Sequence, residues 1–142
     1  EGLSLRYAVW CFGLGTVQTP HLPENTPFDY TAQSPISGKS KHYDEQEVQK
    51  ELLLIAKESE GTKFSIGQQL YYQVHFFVNP VYLLKNDYYK IIEEYQIMKE
   101  FNLPLAKTLD EAPANKIRQM QIIHSEVEKL KQHLLEKNNG TR

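Results

Sequence analysis

Apolar residues from residue 42 onward recur at intervals of three and four positions, which is the spacing of one face of an α-helix. Val48, Leu52 and Ile55 form such a stripe, and Asp44 places a negative charge at the start of that helix. Similar stripes follow along the chain. They predict four helices, over residues 44–59, 66–78, 80–101 and 113–137. Residues 42–142 are therefore predicted to form a helical domain.

Start signals support these helices. Ser65 and Gln68 have the spacing of a capping box, and the same spacing recurs at Thr108 and Glu111. Asn79-Pro80 combines a capping residue with a proline at the first helical position. These signals place the beginnings of the second, third and fourth predicted helices.

The sequence leaves two features of the helical domain undecided. Residues 71–78 also alternate between polar and apolar side chains, so they fit a strand as well as a helix. Asn86-Asp87 provides a second start signal inside residues 80–101. That segment is therefore either one helix or two.

Residues 1–41 have a different pattern, since they hold eight of the fourteen proline and glycine residues. Proline fixes φ and removes a hydrogen-bond donor, which favours extended or irregular backbone. We predict an extended arm over 1–41 with a short apolar segment at 7–12. The arm is either a flexible end or a segment that lies on a neighbouring chain, with Trp10, Phe28 and Tyr30 as anchors. The predicted fold class is mostly α: a small helical bundle with an extended, Pro/Gly-rich N-terminal arm.

Composition and charge exclude several classes of protein. The chain has 142 residues and a formal net charge of −2, which argues against a generic polyanion-binding protein. Its single cysteine excludes an internal disulfide framework and a cysteine-rich zinc module. No apolar stretch approaches the ~20 residues that a membrane-spanning helix needs.

Candidate catalytic and metal-binding side chains lack the partners that such chemistry needs. Cys11 lies among apolar neighbours and is predicted to be a buried thiol, and Ser125 is predicted to lie on a helix surface. His124 and Glu128 lie four positions apart, which fits a solvated or interfacial pair better than half of a metal site. His75 is predicted to be a core histidine. We therefore predict no catalytic, cofactor-binding or metal-binding residue, no cofactor and no enzyme activity.

Aromatic residues are unevenly distributed, and eight of the sixteen lie between residues 71 and 95. One helix face cannot bury adjacent tyrosines together, so Tyr72, Tyr82 and Tyr89 are candidates for contact with another subunit. The alternative is a two-sided core in which these helices are central.

The last predicted helix also carries an assembly pattern. Apolar residues at Ile123, Val127, Leu130 and Leu134 alternate steps of three and four, as the a and d positions of a coiled coil do. In that register Glu126 falls at a flanking g position. The stripe packs either on the other helices of the chain or on a second subunit.

The segment from residue 88 to residue 135 resembles small virion or tail-assembly proteins of tailed bacteriophages. The residues that carry the resemblance are Asp87-Tyr88-Tyr89, Glu94-Tyr95, Met98-Lys99-Glu100-Phe101, Leu103-Pro104 and Leu109-Asp110-Glu111-Ala112-Pro113-Ala114, followed by an amphipathic helix. The resemblance implies a non-enzymatic role in a phage particle, with protein partners and no cofactor. It also implies a location in the virion or the host cytoplasm; without it, we expect a cytoplasmic protein.

Together these patterns predict a non-enzymatic structural or assembly subunit of a larger protein particle. It would bind neighbouring subunits through its arm and its aromatic helical face. One alternative is an accessory subunit of a large enzyme complex. A second is a nucleic-acid-associated helical module, in which Lys85, Lys90 and Lys99 alternate with tyrosines. Acidic residues in the same stretch offset the positive charge of these lysines. We therefore expect protein partners, and neither nucleic acid nor a small-molecule substrate.

Overall fold

The computed structural model describes residues 2–23, 26–104 and 113–140, with side chains to residue 138. The elements are α1 (Gly2–Leu14), β1 (Tyr30–Gln33), β2 (Ser40–Tyr43), α2 (Glu45–Ser59), α3 (Ile66–Gln73), α4 (Asn86–Glu100) and α5 (Ala114–Gly140). Two short 3₁₀ turns, Val74–Phe76 and Pro80–Tyr82, lie between α3 and α4. Of the described residues, 65% are helical, which confirms the prediction of a mostly α protein.

The first helix is the main difference from the predicted fold. Residues 2–14 are not part of an extended arm but form α1, in which Leu5, Tyr7, Val9 and Trp10 are almost completely buried. A helix that is apolar on all sides has to be surrounded by other elements. α1 therefore packs against α3, α4 and α5 and lies at the centre of the molecule. The extended arm predicted over residues 1–41 is wrong for this segment.

Residues 15–23 and 26–29 are irregular backbone, and a hairpin follows them. β1 and β2 pair antiparallel, with Tyr30 opposite Tyr43 and Gln33 opposite Ser40. Gly38 adopts a φ of +74° in the connecting loop, a conformation that side chains with a Cβ disfavour. Because β2 spans residues 40–43, the boundary predicted at residue 42 falls inside a strand.

The helix predicted at 44–59 is observed as α2, and the helix predicted at 66–78 begins where predicted but ends at Gln73. The Asp44 side chain caps α2 by accepting a hydrogen bond from the Glu47 amide at 2.8 Å. Ser65 caps α3 by accepting from the Gln68 amide at 3.1 Å, while the Gln68 side chain turns towards α5 rather than completing the capping box. Residues 71–78 are helical to Gln73 and then form a 3₁₀ turn, so the strand alternative is wrong.

The segment predicted as one or two helices over residues 80–101 is divided. Asn79 caps the 3₁₀ turn Pro80–Tyr82 with its side chain, and α4 begins separately at Asn86. Asn102, with a φ of +54°, follows the end of α4. The last helix, predicted at 113–137, is observed as α5. The capping box predicted at residues 108 and 111 lies outside the described residues.

The apolar core consists of two clusters on opposite sides of α1. The first joins α1 to α2, α3 and the hairpin through Tyr7, Trp10, Leu52 and Phe77. The second joins α1 to α4 and α5, where Val9 lies among residues that include Ile92 and Ile123. Across the described ranges, no helix is both long and apolar enough to cross a membrane.

Candidate functional site

Several of the predicted interface residues contact other parts of the same chain. Trp10 and Ile123 are 0% exposed and Leu130 is 6% exposed. Val127 packs against the second core cluster, and the half-buried ring of Tyr89 lies 5.8 Å from that of Phe12. The coiled-coil-like stripe of α5 therefore packs on α1. The predicted extended arm had placed the residues of α1 outside the helical bundle.

The other predicted aromatic residues form a cluster beside the hairpin. The Phe28 ring stacks on Tyr30 at 5.5 Å and meets Tyr82 edge-on at 5.1 Å. The Tyr30 hydroxyl donates to the Phe77 carbonyl oxygen at 2.8 Å, and burial raises the pKa of Tyr30 to about 12. Among the same predicted set, Tyr82 and Leu134 remain exposed, and Tyr72 is half-buried. The cluster holds the irregular segment against the helices.

An exposed apolar surface lies at the end of α4, and the sequence reasoning did not identify it. We define the α4-end surface as Ile97, Phe101 and Leu103, which are 51%, 63% and 52% exposed. Ile97 and Phe101 are neighbours on one helix face, four positions apart. Leu103 is brought alongside because its amide donates to the Met98 carbonyl oxygen at 2.9 Å. Ile97 and Leu103 line one concavity of about 380 Å³.

A second concavity of about 380 Å³ continues this surface between α4 and α5. Met98 and Leu103 line it together with Tyr95 and His124. The Tyr95 hydroxyl lies 2.7 Å from Nδ1 of His124, and Nε2 of His124 lies 3.9 Å from the Glu128 carboxylate. The His124–Glu128 pair is half-exposed, and among the described residues it does not belong to a group of three or more histidine, cysteine, aspartate or glutamate side chains that could hold a metal ion.

A buried carboxylate, Glu126, connects three helices. One oxygen, Oε1, accepts hydrogen bonds from the Trp10 indole N–H at 2.8 Å and from the Ser65 hydroxyl at 2.7 Å. The other, Oε2, accepts from Arg6 at 3.1 Å and from the Gly67 amide at 3.3 Å. Four converging donors compensate for removing the charge from water. The predicted g position thus carries a structural carboxylate that fixes α1, α3 and α5 relative to one another.

A second buried carboxylate, Glu51, attaches the hairpin to α2. Ser34 donates to it at 2.6 Å, and the Lys41 ammonium group lies 3.2 Å from its other oxygen. Lys41 also pairs with Glu47 at 3.2 Å. Each of these side chains is hydrogen-bonded or ion-paired to another member of the cluster. The cluster therefore holds the hairpin in position on α2.

A concavity of about 770 Å³ lies between the hairpin, α3 and the irregular segment that follows α1. Its polar lining includes His21, Gln33 and Gln73, without a carboxylate, lysine or arginine. The nearby His75 has its pKa lowered by burial and by the adjacent His21.

The remaining reactive side chain, Cys11, is enclosed in the core. Burial raises the pKa of its thiol to about 11, so the nucleophilic thiolate is scarce at neutral pH. Within the described residues, no group of three or more histidine, cysteine, aspartate or glutamate side chains converges to hold a metal ion. Comparison of the chain with protein-family models, curated proteins and solved structures finds no match.

Proposed function

We propose that this chain is a non-enzymatic structural or assembly subunit of a larger protein particle, and that it binds a neighbouring protein through the α4-end surface. The observation that carries the proposal is the exposure of Ile97, Phe101 and Leu103 beside two concavities, both of which Leu103 helps to line. Grouped exposed apolar side chains beside a groove are typical of protein-binding surfaces. Phe101 is the anchor of this surface, since large aromatic side chains contribute much of the energy of such contacts.

The size of the α4-end surface determines how much it contributes to the free energy of binding. Full burial of one large apolar side chain contributes about 1.5–3 kcal/mol. Each of the three side chains is about half exposed, so covering them contributes about 3 kcal/mol in total. That is too little for a stable complex by itself, because association also costs translational and rotational entropy. The surface therefore fits one contact among several in an assembly.

The resemblance to virion and tail-assembly proteins of tailed bacteriophages suggests the kind of particle. In that setting the partners are other protein subunits, and the chain is located in the virion or in the host cytoplasm during assembly. Because α1 is part of the core, its residues do not form an arm that binds a neighbouring subunit. The proposed contact with a neighbour is the α4-end surface instead.

Phe101→Ser tests the proposal, with Leu53→Ser as the matched control. Leu53 is 61% exposed on α2, away from the α4-end surface, so both changes remove an exposed apolar side chain. We expect the wild-type chain and the control to co-sediment with subunits of the native particle, and Phe101→Ser to lose this association. Analytical ultracentrifugation of the purified chain checks separately for self-association through the same surface.

Two results would contradict the proposal. One is a wild-type chain that stays monomeric and associates with no particle subunit. The other is a partner that Phe101→Ser retains as well as the control does. A partner that proves to be the catalytic chain of an enzyme would favour the accessory-subunit alternative.

A further inference from the structure

Lysine side chains converge on a concavity of about 450 Å³ between the start of α3 and the last turns of α5. The residues that line it are Lys63, Phe64, Gln68, Tyr72, Lys129, Gln132, His133, Glu136 and Lys137. Three of them are lysines and one is a carboxylate, although the whole chain has a net charge of −2. The concavity is therefore a local region of positive charge on a weakly acidic protein.

These lysines are available to a ligand. The ion pairs of lysine in the described part of the chain involve Lys41, Lys50 and Lys116, none of which lines this concavity. Like charges held close together repel one another, and a bound anion removes that repulsion. The arrangement favours an anionic ligand over a neutral or cationic one.

The wall of the concavity is held in place by buried groups. Gln68 is 6% exposed, and its amide nitrogen lies 3.2 Å from Nδ1 of His133. The His133 ring also lies 5.5 Å from the fully buried ring of Trp10. These two contacts fix the His133 ring within the wall.

Two aromatic rings also line the concavity. Phe64 and Tyr72 lie 5.9 Å apart with their ring planes at 65°. A planar organic group can stack on or against such rings, whichever base or ring system it carries. A volume of about 450 Å³ is also within the range of small-molecule sites.

We propose that this concavity binds a small phosphorylated organic anion with a planar ring, of the nucleoside monophosphate class. The phosphate lies among the lysines, beside the His133 ring, and the organic ring lies against Phe64 and Tyr72. This site is separate from the α4-end surface and does not depend on the proposed assembly role.

Titration of the full chain with adenosine monophosphate tests the proposal, with the fluorescence of Trp10 as one readout. Trp10 is the single tryptophan and contacts His133, so a ligand in the concavity changes its environment. Isothermal titration calorimetry provides the dissociation constant. The comparison ligands are adenosine, inorganic phosphate and a short single-stranded oligonucleotide.

The expected result is saturable binding of adenosine monophosphate below about 1 mM, with adenosine at least about tenfold weaker, a difference of about 1.4 kcal/mol. The double variant Lys129→Gln/Lys137→Gln is expected to weaken binding by at least about tenfold. The matched control is Lys57→Gln/Lys99→Gln, which removes two lysines outside the concavity and leaves affinity unchanged. All four are exposed, so neither variant disturbs the core.

Three results would overturn the proposal. The first is the absence of saturable binding by about 1 mM. The second is an equal loss of affinity in the two lysine variants, which would indicate a response to net charge alone. The third is binding of the oligonucleotide without binding of the monophosphate, which would indicate a nucleic-acid surface instead.

Discussion

The carboxylate of Glu126 provides the most direct test of how the bundle is held together. The change Glu126→Gln keeps the size of the side chain but replaces one acceptor oxygen with a donating NH₂ group. If the amide oxygen occupies the place of Oε1, the NH₂ group meets the donors of Arg6 and Gly67. If the amide is reversed, the NH₂ group meets the indole N–H of Trp10. Both orientations place a donor against a donor.

The cost of this conflict follows from the exposure of each donor. Arg6 is 25% exposed and can turn towards water, but the Gly67 amide and the Trp10 indole are buried. A buried donor left without an acceptor costs about 1–3 kcal/mol, and the loss of hydrogen bonds to a charged acceptor adds to this cost. We expect Glu126→Gln to lower the free energy of unfolding by about 3 kcal/mol.

Thermal and urea unfolding measure this change. With an unfolding entropy of about 2.1 cal/mol/K per residue, about 3 kcal/mol in a chain of this length lowers Tm by about 10 °C. The matched control is Glu136→Gln, an exposed position on the same helix, which should stay within about 0.5 kcal/mol of wild type. If Glu126→Gln is no less stable than the control, the four hydrogen bonds do not contribute as described.

Two further changes test other parts of the fold. Gly67→Ala places a Cβ 2.5 Å from Trp10 and 2.8 Å from the Arg6 carbonyl oxygen, so we expect unfolding measurements to show a loss of about 2 kcal/mol. Gly61→Ala, with no contact closer than 3.7 Å, should be neutral or slightly stabilising, and similar losses at both positions would contradict the packing. Burial lowers the pKa of His75, so the unfolded chain binds the proton first as pH falls through about 6.5, and stability decreases there. His75→Gln should flatten this part of the stability profile, whereas an unchanged slope would exclude His75 as the cause.

The parts of the fold that follow from local signals were predictable from the sequence. α2 and α3 have an amphipathic stripe or a capping side chain, and both begin where Asp44 and Ser65 predict. α1 has neither signal. Its side chains are apolar on all sides, because other elements surround it, so no periodicity distinguishes it from an irregular apolar segment. The hairpin has strands of four residues, too short for a clear alternation.

The candidate contact surfaces were harder to predict, because the same residue types serve core and interface. Trp10, Ile123 and Leu130 have the pattern of contact residues, and the structure buries them within the chain. Ile97 and Phe101 lie outside the main apolar stripe of α4, and that departure from the periodicity was the signal for an exposed apolar surface. The role of Glu126 depends on donors from α1 and α3, which no local pattern reveals.

The central position of α1 also determines when the chain can fold during synthesis. α1 leaves the ribosome before α5, the helix that covers one of its sides. The bonds between them join residues 116 and 120 positions apart. Until α5 emerges, the apolar side chains of α1 remain without their final neighbours and are open to chaperones or to aggregation. Folding of the centre is therefore delayed until α5 has been synthesised, and removal of α5 would leave one side of α1 uncovered.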